Sequence, residues 1–414
     1  MDFREFLKNN IVCLDGAMGT MLQANGLTAG QLPERWNISH PDVVTAIHKS
    51  YYDAGSNIVS TNTFGANSLK FDDEELDEII KSALENAKSA REQSVSDKEK
   101  FVALDIGPTG KLLKPLGELD FEDAVEVFAK TVKLGVKYGA DLIVIETMND
   151  SYETKAALLA AKENSSLPVI VTNVYGKTGR LMTGATTASM VAMLEGMGAA
   201  AIGANCSLGP KQLAGVAKEL LENASVPVAI KPNAGLPEMV DGKTVYNVSA
   251  EEFATEVANL VKEGVRLVGG CCGTTPEYIK CVCDKIKALA PKPVKRKDFT
   301  VISSRDRVIK WGEEDVGTNV LPLDDDIDTM IEETIDFVEK FPGVLLIWGI
   351  DDAKRMETVI TELQAVCTEP FMIQTDNAQV LESALRRYNG KALVSTSLKE
   401  AKGLVKKYGG VIDK

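Results

Sequence analysis

Histidine is nearly absent. The 414-residue chain has two, His40 and His48, and neither stands at the end of a strand-like run. Ser-His-Asp and Cys-His mechanisms therefore have little to work with, and both imidazoles read as helix-face packing or capping groups. No apolar stretch follows the start Met1-Asp2-Phe3-Arg4-Glu5-Phe6, and no later segment runs long enough without charge to span a bilayer, so the chain reads as soluble and cytoplasmic. A basic excess is missing too. Lys plus Arg number 46 against 60 Asp plus Glu, a formal charge of −14, which repels nucleic acid and anionic membrane surfaces. The seven cysteines are odd in number, thinly spread and without C-x-x-C spacing, which fits a reducing compartment better than a disulfide framework.

What is present is a repeated α/β pattern: a short β-branched apolar run, a polar or Gly-bearing turn, then an amphipathic helical stretch. The strand-like runs are Ile11–Leu14, Asn57–Ser60, Phe101–Leu104, Asp141–Ile145, Pro168–Thr172, Ala200–Ala204, Pro227–Ile230 and Val265–Gly269. Helical stretches such as Pro41–Asp53, Glu74–Glu92, Phe121–Tyr138, Thr187–Met197, Lys211–Glu222, Ala250–Lys262 and Pro276–Leu289 lie between them. Eight such units in residues 1–290 predict a (β/α)8 TIM barrel. Residues 291–299, with Pro291, Pro293 and clustered cations, read as a linker. Residues 300–414 carry α/β texture again, with runs at Phe299–Ser303, Val344–Ile350, Phe371–Thr375 and Ala392–Thr396 and helices at Ile327–Lys340 and Val380–Tyr388. That is under half of the roughly 250 residues a complete barrel needs.

Polar residues follow the barrel runs: Asp15-Gly16, Thr61-Asn62-Thr63, Asp105, Glu146-Thr147, Asn173, Asn205-Cys206, Pro232-Asn233 and Cys271-Cys272. Singly, each could merely cap a helix or make a turn. Together, at the strand ends where such barrels place their sites, they predict an enzyme. Cys206, Cys271 and Cys272 form a soft donor set for zinc, with glycines on both sides of the vicinal pair allowing the sharp bend that two adjacent ligands require. Three thiolates would leave a fourth position open and favour alkylation of an added thiol. The alternative for these three is burial as small hydrophobes, the reading given to Cys13, Cys281, Cys283 and Cys367. The turn Asp15-Gly16-Ala17-Met18 could hold a carboxylate through its amides. Glu146 could pair with a substrate ammonium or cap a helix.

The motifs Asp15-Gly16-Ala17-Met18-Gly19-Thr20, Thr61-Asn62-Thr63-Phe64, Asn205-Cys206, Pro232-Asn233-Ala234-Gly235 and Gly269-Gly270-Cys271-Cys272-Gly273 resemble the homocysteine S-methyltransferase family, most closely the homocysteine module of cobalamin-dependent methionine synthases, over residues 5–290. The resemblance implies a zinc barrel with Cys206, Cys271 and Cys272 as ligands and homocysteine sulfur as the added one. It also implies that Asp15, Gly16, Ala17, Met18 and Glu146 hold the amino-acid end, with Asn233 nearby.

The remainder, through Pro370–Asn377, Ala384–Lys391 and Lys406–Gly410, resembles a central slice of the pterin-binding barrel that follows in that family. Gln374 and Ser395 stand where that barrel carries Asp and Asn, and no histidine is available there to ligate cobalamin. A region that has lost folate binding would serve packing, docking or homo-oligomer formation. The methyl donor would then be a separate methyl-corrinoid protein carrying methylcobalamin, or else a small sulfonium or betaine. Another thiol acceptor and a non-catalytic assembly subunit are the competing readings. The acidic stretch Asp324-Asp325-Asp326-Ile327-Asp328 reads as a solvated helix face or a partner surface.

Overall fold

In the computed structural model, which describes residues 2–240, 243–321, 324 and 326–413, every one of the eight barrel runs forms a strand. These are β1 (Val12–Cys13), β2 (Ile58–Ser60), β3 (Phe101–Ile106), β4 (Leu142–Met148), β5 (Val169–Asn173), β6 (Ala201–Asn205), β7 (Val228–Lys231) and β8 (Leu267–Val268). They pair in parallel in the order β1-β8-β7-β6-β5-β4-β3-β2. The seam between β1 and β2 is closed by side chains as well as backbone. Asn57 N donates to Cys13 O at 2.7 Å, Cys13 N donates to Asn57 Oδ1 at 3.0 Å, and Ser60 N donates to Asp15 Oδ2 at 2.7 Å.

Strand alternation sorts the apolar residues into two layers. Val12, Leu14, Ile58, Phe101, Ala103, Leu142, Val144, Ile170, Ala201, Ala229 and Leu267 form an inner cluster. Their alternates, such as Val102, Leu104 and Ile143, pack outward on the helices. The helix Phe3–Asn9 adds Phe3 and Leu7 to the inner cluster, and Phe3 meets Phe101 edge-on at 5.3 Å, so this helix plugs the amino-terminal end of the barrel. The opposite end is left for polar residues.

His48 is buried with both ring nitrogens unpartnered, and burial lowers its pKa to about 3. It packs. His40 sits at the N-cap position of helix Pro41–Ala54, makes no side-chain cap, and stacks on Trp36 at 4.0 Å. Helix Ser151–Asn164 is capped by Asp150, which accepts from Glu153 N at 2.6 Å; the capping alternative for Glu146 is therefore overturned, because Asp150 already fills the cap.

After Ile286 no regular element occurs until Thr300 among the described residues. The run at Phe299–Ser303 does not join a parallel sheet. Thr300–Ser303 pairs antiparallel with Val308–Trp311, a strand that had no counterpart in the sequence reading. A separate parallel sheet follows with its strands in chain order: β9 (Gly317–Val320), β10 (Gly343–Ile347), β11 (Phe371–Gln374), β12 (Leu393–Ser395) and β13 (Val411–Ile412). One face packs Val344 and Leu393 on Ile302 and Ile309 of the hairpin, and the other packs on helices. Gln374 and Ser395 are side by side at the carboxyl ends of β11 and β12. In the acidic stretch, Asp324, Asp326 and Asp328 are exposed, and Asp325 lies outside the described residues.

The carboxy-terminal region docks on the barrel flank through the end of helix Ala378–Arg387. Arg386 bonds Glu122 at 2.7 Å and Glu163 at 2.8 Å, and Asn389 Nδ2 donates to Ser151 Oγ at 2.9 Å. Arg387 lies over the Phe121 ring at 5.5 Å. Between these contacts the buried Lys155 donates to Leu385 O at 2.8 Å and to Tyr388 O, matching a cation to the carbonyl end of a helix. Lys155→Ala leaves both carbonyls without this donor, and a loss on the order of 2–4 kcal/mol is expected. Urea unfolding checks it, with faster proteolysis at residues 291–299 as a second readout; stability within ~0.5 kcal/mol of the parent contradicts the assignment.

Candidate active site

The polar ends of β1, β3, β4, β6, β7 and β8 meet at the carboxyl end of the barrel. Cys206 directly follows β6, in a left-handed turn with φ of 62° and Ser207 at 58°. Cys271 and Cys272 follow β8, with Gly273 at φ 80° completing the bend, a conformation glycine adopts without strain. The loops are knitted together by backbone bonds: Cys271 N to Pro232 O at 2.8 Å, Ala234 N to Cys272 O at 2.9 Å, and Asn233 N to Leu208 O at 3.0 Å.

The three sulfurs lie within 4.8 Å of one another and form the one His/Cys/Asp/Glu group among the described residues that could hold a metal ion. A tetrahedral ion with bonds of ~2.3 Å to sulfur spaces its ligands ~3.8 Å apart. The Cys206 and Cys272 sulfurs are 3.8 Å apart. Hydrogen bonds with Cys206 and Cys271 pull the Cys272 thiol far below its ordinary range, and hydrogen bonds with Cys206 and Cys272 push Cys271 up. Close thiols that favour one thiolate suit a soft cation. Of the other cysteines, Cys13, Cys283 and Cys367 are buried and Cys281 is half-buried, all away from this trio.

Beside the trio is a chamber of buried charge. Lys231, at the end of β7, has a side chain 4% exposed and places Nζ 2.7 Å from Glu146 Oε2 and 3.5 Å from Asp15 Oδ1. Burial alone would deprotonate this lysine; the Glu146 and Asp15 carboxylates outweigh it and hold the ammonium. Burial raises Asp15 to about 6 against the pull of Lys231. Asp105 is also raised, by burial first and then by Glu146. Asp105 Oδ1 and Asn233 Oδ1 are buried acceptors with no hydrogen-bond partner, and Asp15 Oδ1 has only its 3.5 Å ion pair with Lys231. Unfilled buried acceptors of this kind are rare in finished structures, and they suit a cationic or donor-rich ligand.

Each residue anticipated for the site lies at this end of the barrel, with differences in detail. Gly16 must be glycine, since a Cβ there would lie 2.8 Å from Thr274 Oγ1 and 2.9 Å from the Tyr51 ring. Ala17 N is taken by Thr274 Oγ1 at 3.2 Å, and Met18 opens the helix Met18–Ala24. Thr61, Asn62 and Thr63 instead shape the loop after β2, with Thr63 Oγ1 on Asp105 O at 2.7 Å and Asn62 Nδ2 on Pro33 O at 2.7 Å. Two residues escaped sequence reasoning. Lys231 directly follows the apolar run Pro227–Ile230, and nothing in that spacing marks it as buried. Tyr246 comes from the antiparallel hairpin Pro237–Val240 with Lys243–Tyr246; its ring fills the space a side chain on Gly273 would take, and burial with the neighbouring Cys272 raises its phenol to about 12.

The profile described as homocysteine S-methyltransferase matches residues 12–286. A methionine synthase of Mycobacterium leprae is 32% identical over 296 residues, covering 67% of this chain and 24% of that protein. A methionine synthase of Mycobacterium tuberculosis is 27% identical over 431 residues, covering 95% of this chain and 36% of that protein. The chain thus spans between a quarter and about a third of the length of these relatives. The crystal structure of the homocysteine methyltransferase MmuM from Escherichia coli, metallated form, matches with a TM-score of 0.59 at 23% identity, covering 69% of this chain and 100% of that one. At that identity the likeness carries the barrel fold.

Lys231→Met buries Glu146 and Asp15 without their cation, and a loss of about 3–5 kcal/mol is expected at pH 8. Asp15, already raised from 3.8 to about 6, would then titrate higher still, so the folded variant binds protons that the unfolded chain does not. Its stability should therefore recover as pH falls from about 8 to about 5. Urea midpoints at the two pH values test this, and a loss independent of pH contradicts it.

Proposed function

Because the chain belongs to the homocysteine S-methyltransferase family, we propose that it methylates the thiol of homocysteine to give methionine, with zinc held by Cys206, Cys271 and Cys272. One observation carries this reading: three sulfurs from two distant loops converge beside a buried carboxylate chamber at the barrel mouth. Zinc bound to three thiolates keeps an added thiol ionised and nucleophilic at neutral pH. The chain's own residues place that thiol. Glu146 Oε2 is engaged by Lys231, so the substrate ammonium meets Oε1 together with Asp15 Oδ1, which Lys231 approaches only to 3.5 Å, and the Asp15–Met18 turn receives the carboxylate. Asn233 Oδ1 offers a further acceptor.

The thiolate attacks the donor methyl group in line, forming a carbon–sulfur bond as the bond from methyl to its carrier breaks. The electron pair leaves on the carrier, as cob(I)alamin or a neutral thioether, so no general acid is required. That agrees with a barrel mouth built without histidine.

The donor in this reading is a methyl-corrinoid protein. Gln374 and Ser395, at adjacent strand ends of the carboxy-terminal sheet, stand in place of the acid and amide expected of a pterin site. We therefore assign that region to docking on the barrel rather than to folate. Homocysteine offered separately with a methyl-corrinoid protein, methyltetrahydrofolate, S-methylmethionine and betaine should yield methionine with the first. Cys272→Ala should lower the rate by more than the ~100-fold typical of losing a residue that supports a metal ligand. Full turnover by Cys272→Ala contradicts the zinc assignment, and turnover with methyltetrahydrofolate alone contradicts the reading of the carboxy-terminal region.

A further inference from the structure

Asn205 closes β6 immediately before Cys206 and is completely buried. A carboxamide can accept twice and donate twice, and all four positions of this one face a partner. Oδ1 accepts from Thr147 N at 2.8 Å and from Thr172 Oγ1 at 2.9 Å. Nδ2 donates to Thr147 Oγ1 at 2.7 Å and faces Cys271 Sγ at 3.9 Å. A backbone N–H only donates, so the contact with Thr147 N fixes which end of the amide is oxygen and leaves an N–H directed at the sulfur.

Thr147 itself is held at φ 63°, a left-handed conformation that a β-branched residue rarely adopts. The register of β4 against β5 shifts at this point, between Ile145 and Met148. Asn205 grips both the amide and the hydroxyl of Thr147, the residue directly after Glu146, so it fixes the irregular turn from which Glu146 reaches Lys231.

We propose that Asn205 is a positioning residue that couples the thiol trio to the carboxylate chamber. One half of its amide holds the turn behind Glu146, and the other half offers a hydrogen bond to Cys271. Once zinc has made Cys271 a thiolate, this donation withdraws charge from its sulfur. Cys271 thereby becomes a weaker nucleophile than an added thiol, which protects the protein's own ligand from methylation. This deepens the homocysteine methyltransferase reading and rests on it.

Asn205→Asp tests the coupling, because it keeps an acceptor for Thr147 N and Thr172 but sets a carboxylate oxygen against Cys271. Zinc affinity of the full chain is measured by chelator competition, homocysteine KM is measured on the zinc-loaded protein, and the sulfur-to-cobalt charge-transfer band is recorded after cobalt substitution. Asn205→Asp is expected to bind zinc ~10–100-fold more weakly, to raise KM, and to shift the charge-transfer band. Thr147→Val, which loses only the hydroxyl, is expected to raise KM while changing zinc affinity less than about threefold. If Asn205→Asp does not fold, Asn205→Ser carries the same expectations. A folded Asn205 variant with parental zinc affinity, KM and charge-transfer band overturns the coupling alone. A parent chain that binds no zinc overturns the methyltransferase reading itself, so the two failures are distinguishable.

Discussion

Closure of the parallel barrel is the constraint on which everything else depends. Parallel strands have only one rim where all their carboxyl ends emerge, and each chemically interesting residue here occupies that rim. The closing seam is also part of the site: Asp15 accepts from Ser60 N across it with one carboxylate oxygen and offers the other to Lys231 and the chamber. Asn57 ties β2 back to Cys13, two residues before Asp15. The forces that close the barrel thus aim the first acidic group of the site, while the plug of Phe3 and Leu7 at the other end directs polar function to one mouth.

At that mouth the protein separates two kinds of chemistry. The chamber around Lys231 is hard and charged, and its burial makes each carboxylate sensitive to whether a cation is nearby. The thiol trio is soft, and proximity of its sulfurs makes ionisation a shared property rather than that of one residue. In the proposed reading the chamber takes the amino-acid head of the substrate and the trio its thiol tail. Few imidazoles are needed for such work, because one end binds by charge and the other by sulfur.

The barrel was legible in the sequence because its strands are buried on both faces and read as β-branched runs, with helices at regular intervals between them. The cysteines were legible because a vicinal pair flanked by glycines has few structural uses. Lys231 was not, since a lysine after Val228-Ala229-Ile230 looks like a strand end reaching solvent; only the folded barrel brings it against Glu146. Asn205 stood in plain view as a neighbour of Cys206, yet its contacts with Thr147 and Thr172 join strands far apart in sequence. The carboxy-terminal region was less legible. Gly317–Val320 is exposed and largely polar and carries no apolar signal, and the run at Thr300–Ser303 turned back on Val308–Trp311 because the intervening polar loop allows a hairpin.

The account stands on the three cysteine sulfurs sharing one ion that retains room for another ligand. Sulfur coordination of bound zinc, read by X-ray absorption with and without homocysteine, tests this most directly. Three sulfurs per zinc rising to four on addition of homocysteine is the expected result. Fewer than three sulfurs in the resting protein, or a count that homocysteine leaves unchanged, would contradict it.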